Sequence, residues 1–299
     1  MFSVSPHLRA VLQALFVTLL WSSSWVLIKR GLEDIPALTF AGLRYVLAFL
    51  LLLPLAARRG DLAALRHPSR RDALTLAALG LLLYTVTQGT QFLGLERLPA
   101  VTTSLLLSFS PVMVGLLGIA LLGERITRAQ WGGIALYLAG VLVYFYPVAI
   151  PAREVAGLAI VLVGVVANAG SAVLGRGVNR QRTLSPLAVT VASMGIGSLA
   201  LLASGAALQG LPALSAESWA IIAWLAVANT AFAFTLWNHT QRTLSAIETS
   251  IINNTMLIQI AVLAWLFLGE RLGPRAIAGL ALAASGTLIV QLRRAAPDS

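Results

Sequence analysis

The sequence predicts an all-α membrane protein with ten transmembrane helices, built as an inverted repeat of two five-helix units. Composition is the first observation behind that prediction. Of 299 residues, 58% are hydrophobic and 11% charged, against about 25% charged in an ordinary soluble domain. The second is segmentation, because apolar runs of spanning length recur from one end of the chain to the other. The third is duplication. Leu122-Gly123-Glu124-Arg125 returns as Leu268-Gly269-Glu270-Arg271, an offset of 146 residues. The register holds without a gap on both sides: Ala100, Thr103 and Ser104 fall on Ala246, Thr249 and Ser250, and Gly133, Ala135, Leu136 and Gly140 fall on Gly279, Ala281, Leu282 and Gly286. Self-similarity at one fixed spacing is the mark of a repeat architecture, and it divides the chain into units 1–149 and 150–299.

The apolar segments run over 9–29, 36–57, 73–95, 100–121, 129–147, 155–175, 186–208, 217–239, 247–268 and 275–292. Most have the ~20 residues a helix needs to cross a hydrocarbon core of ~30 Å. Apart from a closed barrel, a helix is the only solution there, since every amide must be paired within its own segment. The punctuation agrees. Pro36 and Pro186 open the second and seventh segments. Ser69-Arg70-Arg71-Asp72 and Thr127-Arg128-Ala129-Gln130 have the form of capping boxes before the third and fifth. Pro274, after Gly273, suits the first turn of the tenth. The first apolar stretch is too long for a signal-peptide core and no small-residue cleavage site precedes Lys29-Arg30, so it is read as retained.

Ten spans leave both termini on one side of the membrane. With that side cytoplasmic, it holds fourteen basic residues: Arg9, Arg58, Arg59, Arg66, Arg70, Arg71, Arg125, Arg128, Arg176, Arg180, Arg182, Arg242, Arg293 and Arg294. The other side holds six, namely Lys29, Arg30, Arg97, Arg153, Arg271 and Arg275. The excess of arginine places both ends inside. Because each unit has an odd number of spans, the second unit must then insert upside down relative to the first.

Several chemistries are excluded by what is missing. Zero cysteines remove disulfides and thiolate metal sites. His7, His67 and His239 are scattered with no ligand spacing, so no metal is expected, and no cofactor. Lys29 is the single lysine and no glycine-rich loop precedes it, which removes a Walker A phosphate cradle. The net charge of +10 comes from arginines in the gaps between spans, not from one basic face, so nucleic acid is not a partner. All eleven acids lie in loops or at segment ends. No mid-span carboxylate offers itself as a proton carrier; Glu248, at the start of the ninth segment, comes nearest and reads as a solvated first-turn residue. Facilitated diffusion or exchange down the solute's own gradient is the expected energetics.

The candidate site residues are polar or aromatic groups placed where lipid would not accept them. Arg44 is the one charge well inside a segment. It reads either as an anchor or polar contact on a solute pathway, or as an arginine that snorkels to the outer headgroups or pairs with backbone carbonyls; Met194 stands near its position in the second unit. Tyr84, Gln88 and Gln91 share a helical face at i, i+4 and i+7. Asn168 and Ser171 do so in the sixth segment with Gly164 and Gly175, Ser108 lies in the fourth with Ser104 and Pro111, and Asn253 and Asn254 lie in the ninth beside Thr249 and Ser250. Such groups face a watery cavity or act as helix–helix glue. Trp21 and Trp25 sit one turn apart around Ser22-Ser23-Ser24, and Trp21 is too deep for an interface belt, so Trp21, Ser24 and Trp25 join the candidates. Trp131, Trp219 and Trp265 fit the belt. Glycine stripes in the fifth and tenth segments mark scaffold helices.

The Trp-Ser-Ser-Ser-Trp first segment, Pro36 followed by Arg44-Tyr45, Ser110-Pro111 in the fourth, and Leu-Gly-Glu-Arg closing the fourth and ninth together resemble the EamA family of the drug/metabolite transporter superfamily. The resemblance covers nearly the whole chain, and within the family it looks most like bacterial inner-membrane amino-acid exporters, including those for aromatic amino acids. It implies ten helices, an inverted repeat, a central cavity between the halves, and export of amino acids or other metabolites; the expected setting is the bacterial inner membrane, and the expected state a monomer or weak dimer. Efflux of drugs or nucleobase-type solutes is the alternative, and an intramembrane enzyme or scaffold the reading from another class. One departure bears on symmetry: Met256-Leu257 stands where the fourth segment has Ser110-Pro111.

Overall fold

The computed structural model describes residues 5–61, 65, 69–122, 127–146, 151–181, 184–240, 243–244 and 246–292. Gly123, Glu124 and Arg125 of the first Leu-Gly-Glu-Arg lie outside the described residues, as do Arg66, Arg182, Arg242, Arg293 and Arg294 of the basic bias. The described chain is helical with no strand. Its elements are α1 (Pro6–Gly31), α2 (Ala37–Arg58), α3 (Arg70–Gly80), the π-helical π1 (Leu81–Thr87), α4 (Gln88–Arg97), α5 (Ala100–Leu107), α6 (Ser110–Leu122) and α7 (Arg128–Phe145). They continue with α8 (Ala152–Gln181), α9 (Pro186–Leu208), α10 (Ala216–Ala226), the π-helical π2 (Val227–Phe232), α11 (Ala233–Thr240), α12 (Ala246–Asn254), α13 (Met256–Leu268) and α14 (Pro274–Leu292). Each of the ten apolar segments is therefore mainly helical over its described residues. Six stretches of the described residues are long and apolar enough to cross a bilayer, with Ala100–Val114 and Pro274–Val290 shorter. This is a membrane protein.

The caps form as their residue types require. Thr127 accepts from the Gln130 amide and Gln130 answers the Thr127 amide, a complete capping box. Ser69 accepts from the Asp72 amide, but the Asp72 carboxylate takes the Ser69 hydroxyl at 2.7 Å rather than a backbone group, so that box is half made. Ser185 and Ser215 cap α9 and α10. Trp131, Trp219 and Trp265 are all about half exposed near helix ends, as belt residues would be.

The chain forms two compact units, each drawing on both sequence halves: Met1–Leu27 with Leu98–Val155 and Phe232–Ser299, and Ile28–Arg97 with Ala156–Ala231. In the first unit α7 packs along α14 through glycines. A Cβ on Gly133 would meet the Gly286 carbonyl, and one on Gly140 would meet the Gly279 carbonyl. As one number rises the other falls, so the helices run antiparallel. The pairing is also reciprocal, because Gly133 corresponds to Gly279 and Gly140 to Gly286. The stripes assigned to scaffold do pack backbone against backbone. In the second unit α2 and α9 pack the same way, Gly42 against Leu202, Gly205 against Thr39 and Gly195 against Phe49, again antiparallel.

The first unit also answers the question raised by Met256-Leu257. Pro111 has no N–H to offer the Leu107 carbonyl, and α5 ends there. The second half lacks the proline yet breaks at the equivalent place, between α12 and α13. Phe109 N–H bonds the Leu106 carbonyl at 3.1 Å, and Thr255 N–H bonds the Ile252 carbonyl at 3.1 Å, two tight turns 146 residues apart. The Thr255 hydroxyl also bonds Ile252 O at 2.6 Å, the side-chain competition that bends helices without proline.

Candidate functional site

The second unit holds a polar centre where α2 meets both π-helical segments. π1 and π2 begin at equivalent positions of the two repeats, Leu81 and Val227. In each a buried threonine reaches back five residues: Thr87 Oγ1 donates to Leu82 O at 2.8 Å, and Thr230 Oγ1 to Leu225 O at 2.9 Å. A widened turn leaves such a carbonyl for the hydroxyl, and π-bulges recur at functional sites.

Tyr45 on α2 donates its hydroxyl to Gln88 Oε1 at 2.6 Å and packs its ring 5.7 Å from that of Tyr84 in π1. Met194 and Ala226 complete the apolar cluster around the two tyrosines. Arg44, next on α2, lies with its guanidinium 5.1 Å from the Tyr45 ring centroid, and its Nη2 points to Thr230 Oγ1 at 3.4 Å. The residue is 5% exposed, and its Nε has no hydrogen-bond partner. The guanidinium lies within the unit, so the snorkelling alternative does not describe this side chain.

Magnitudes show how incomplete that environment is. Removing a guanidinium from water costs several kcal/mol. The ring contact returns about 0.5–2 kcal/mol, and a hydrogen bond at 3.4 Å is at the weak end of the range. Among the described residues the ion pairs are His7 with Glu248 and Arg97 with Glu96; no carboxylate stands on Arg44. Glu248 lies in the first turn of α12 with a partly exposed carboxylate, as expected, and that carboxylate also takes His7 Nε2 at 2.6 Å.

The other sequence candidates divide between the units. In the second, Asn168 is half-buried and Ser171 is buried, its hydroxyl returned to the Asn168 carbonyl at 2.8 Å. A cavity of about 210 Å³ in the same unit is lined by residues such as Arg71, Asp72, Thr75 and Leu174, and none of the candidates lines it. In the first unit Trp21 packs its ring 5.3 Å from Phe234 and 5.0 Å from Trp237. Trp25 is buried. Ser24 and Ser108 donate to Trp21 O and Leu105 O, 2.5 and 2.6 Å away. Asn254 donates to Ala284 O at 3.0 Å, helix–helix glue between α12 and α14, while Asn253 is exposed.

Sequence reasoning missed Gln259 on α13. Its Nε2 donates to Thr18 Oγ1 at 3.1 Å and Thr255 Oγ1 at 3.0 Å, and its Oε1 accepts from Ser22 at 2.9 Å. Thr18 and Ser22 are fully buried. The glutamine falls off the Thr249–Asn253 stripe, but an amide between Met256 and Leu268 was itself a signal. Each intramembrane hydrogen bond contributes about 0.6 kcal/mol, so Gln259→Leu is expected to lower stability by about 2 kcal/mol, read as a reduced melting temperature of the purified protein in detergent.

A model of the EamA-like transporter family matches residues 8–146 and again residues 155–292. The chain belongs to this family. As an EamA-like transporter it is a transport protein and not an enzyme, which sets aside the intramembrane-enzyme reading. It is 31% identical to the "uncharacterized inner membrane transporter YedA" of Escherichia coli K12, over 45% of this chain and 42% of that one. It is 31% identical to an S-adenosylmethionine/S-adenosylhomocysteine transporter of Chlamydia trachomatis serovar L2, over 42% and 37%. In these two alignments the chain spans less than half of the relative's length. A "probable terminal-alkyne amino-acid exporter" of Streptantibioticus cattleyicolor is 28% identical over 95% of this chain and 94% of its own. The fold is shared with a solved crystal structure at a TM-score of 0.67 and 19% identity, covering 95% of this chain and 98% of that one. The EamA-like chain is thus a multi-pass membrane transporter with inner-membrane relatives in bacteria.

Proposed function

We propose that the protein exports small metabolites, amino acids foremost, across the bacterial inner membrane by alternating access between two inverted five-helix repeats, 1–149 and 150–299. The observation that carries this reading is the pairing of corresponding features. α7 and α14 occupy equivalent places in the repeats and pack antiparallel through reciprocal glycines, and both repeats depart from α geometry at the same registers. Corresponding helices run oppositely when a two-fold axis lies in the membrane plane, and transporters built that way bind solute between their repeats near mid-bilayer. The full-length likeness to an amino-acid exporter supports the solute class. Both termini are cytoplasmic on the arginine count. Trp21, Ser24, Trp25, Arg44, Tyr84, Gln88, Ser108, Asn168, Ser171, Asn253 and Asn254 are the pathway residues in this reading.

The test is counterflow in proteoliposomes over the twenty amino acids, with and without an imposed pH gradient. Saturable exchange of at least one amino acid that needs no gradient is the expected result. A strict requirement for the gradient would refute uncoupled exchange, and no transport of any amino acid would refute the solute class. The second reading, efflux of adenosyl or nucleobase-type solutes, rests on the likeness to the S-adenosylmethionine/S-adenosylhomocysteine transporter; S-adenosylmethionine and adenine therefore belong in the same panel.

A further inference from the structure

We infer that the Arg44 guanidinium is the binding site for a carboxylate group of the transported solute, a deepening that rests on the export reading above. Arg44 is more than nine-tenths buried and has no acid beside it among the described residues. Its Nε N–H is left without an acceptor. A guanidinium presents its N–H groups as a planar fork that takes a carboxylate through two parallel bonds, so an anion with two oxygens is the ligand that matches this donor set. The surroundings select among anions. The Tyr45 ring covers one approach to the guanidinium, and Tyr45, Tyr84 and Met194 make the neighbourhood apolar. Gln88 Oε1 already holds the Tyr45 hydroxyl, which fixes the ring under the cation. A small carboxylate with an apolar body fits this chemistry better than a heavily hydrated inorganic anion.

Position adds a second argument. The scaffold around Arg44 is duplicated, but the charge is not, since Met194 stands near the corresponding place. A symmetric frame with one cation gives a bound zwitterion a single orientation, carboxylate toward Arg44. The partners of Arg44 and Tyr45 sit on π2 and at the first residue of α4, directly after π1. A shift of either widened turn alters the grip on the anion, which ties binding to conformational change.

The experiment uses the full-length protein in proteoliposomes, with L-leucine and L-phenylalanine, their amides, and 3-phenylpropionate as competitors. In the wild type the free acids and 3-phenylpropionate are expected to compete about a hundredfold better than the amides, because a site built for a charged group rejects the analogue lacking it. Arg44→Gln is expected to lower uptake of the acids about a hundredfold and erase the difference between acid and amide, with Arg44→Lys restoring part of it. If the amides compete as well as the acids in the wild type, or folded Arg44→Gln keeps the difference, the carboxylate site is wrong while the export reading stands. Should Arg44→Gln fail to fold, the wild-type competition decides alone. Absence of uptake for every amino acid overturns the export reading, and the site with it.

Discussion

Gly286→Leu is expected to leave no folded protein in the membrane. A Cβ at this position would lie 2.5 Å from the Tyr137 backbone nitrogen and 2.6 Å from the Gly133 carbonyl oxygen. Neither is the end of a flexible side chain that could turn away; both belong to the backbone of α7. A methyl group alone forces the helices apart along their seam, at a cost of about 3 kcal/mol or more, and a leucine adds three further carbons to the same spot. The seam has no spare contact to absorb this, because Gly140 and Gly279 are equally tight at its other end. Gly132 provides the control. It lies on the same helix as Gly133, but an added Cβ meets nothing within 4 Å. Gly132→Ala is expected to be neutral or to stabilise by about 0.5–1 kcal/mol through helix propensity. Yield of monodisperse protein after detergent extraction, followed by thermal unfolding, reads both variants. Normal yield of Gly286→Leu would show that α7 and α14 do not pack as described.

That pair of helices also marks what the sequence made legible. Gly133, Gly140, Gly279 and Gly286 were readable as packing stripes because small residues at helical spacing have few other uses in a lipid-facing segment. Tyr84 and Gln88 were readable as one polar face, and both do meet Tyr45. The π-helical turn in which Tyr84 sits was not. Its sign is a threonine bonding five residues back, and nothing in a list of letters separates that threonine from one bonding three or four back. The division of labour between the two breaks was partly visible. Pro111 announced the first, whereas the second depends on Thr255, an ordinary residue whose hydroxyl acts only once the helix has reached that point. Gln259 was missed for a different reason: its partners Thr18 and Ser22 are about 240 residues away, so periodicity within its own helix says nothing of them. Arg44 was singled out by charge alone, and only the packed structure shows that no acid joins it.

Glu270→Ala is expected to destabilise the protein by about 3 kcal/mol, the second largest effect, although the residue lies in the turn just past the ninth apolar segment. The turn is real. Gly269 adopts φ +68° at the end of α13, and the Glu270 amide closes on the Ala264 carbonyl at 3.2 Å. The carboxylate does something else. Its two oxygens accept from the Ala100 amide at 2.6 Å and the Val101 amide at 3.1 Å, the unpaired donors at the start of α5. Pro99, the residue before that helix, makes no side-chain cap, so the end depends on an acid 170 residues away. Hydrogen bonds to a charged group contribute about 1.5–3 kcal/mol each, the helix dipole adds a few tenths more, and the half-exposure of Glu270 reduces the total toward the lower figure. Alanine strands both amides. Glutamine keeps one acceptor and should lose about half as much. If Glu270→Ala and Glu270→Gln melted together with the wild type, the carboxylate would be an ornament of the turn; graded melting in the order wild type, glutamine, alanine would establish that Leu268-Gly269-Glu270-Arg271 joins the end of α13 to the beginning of α5.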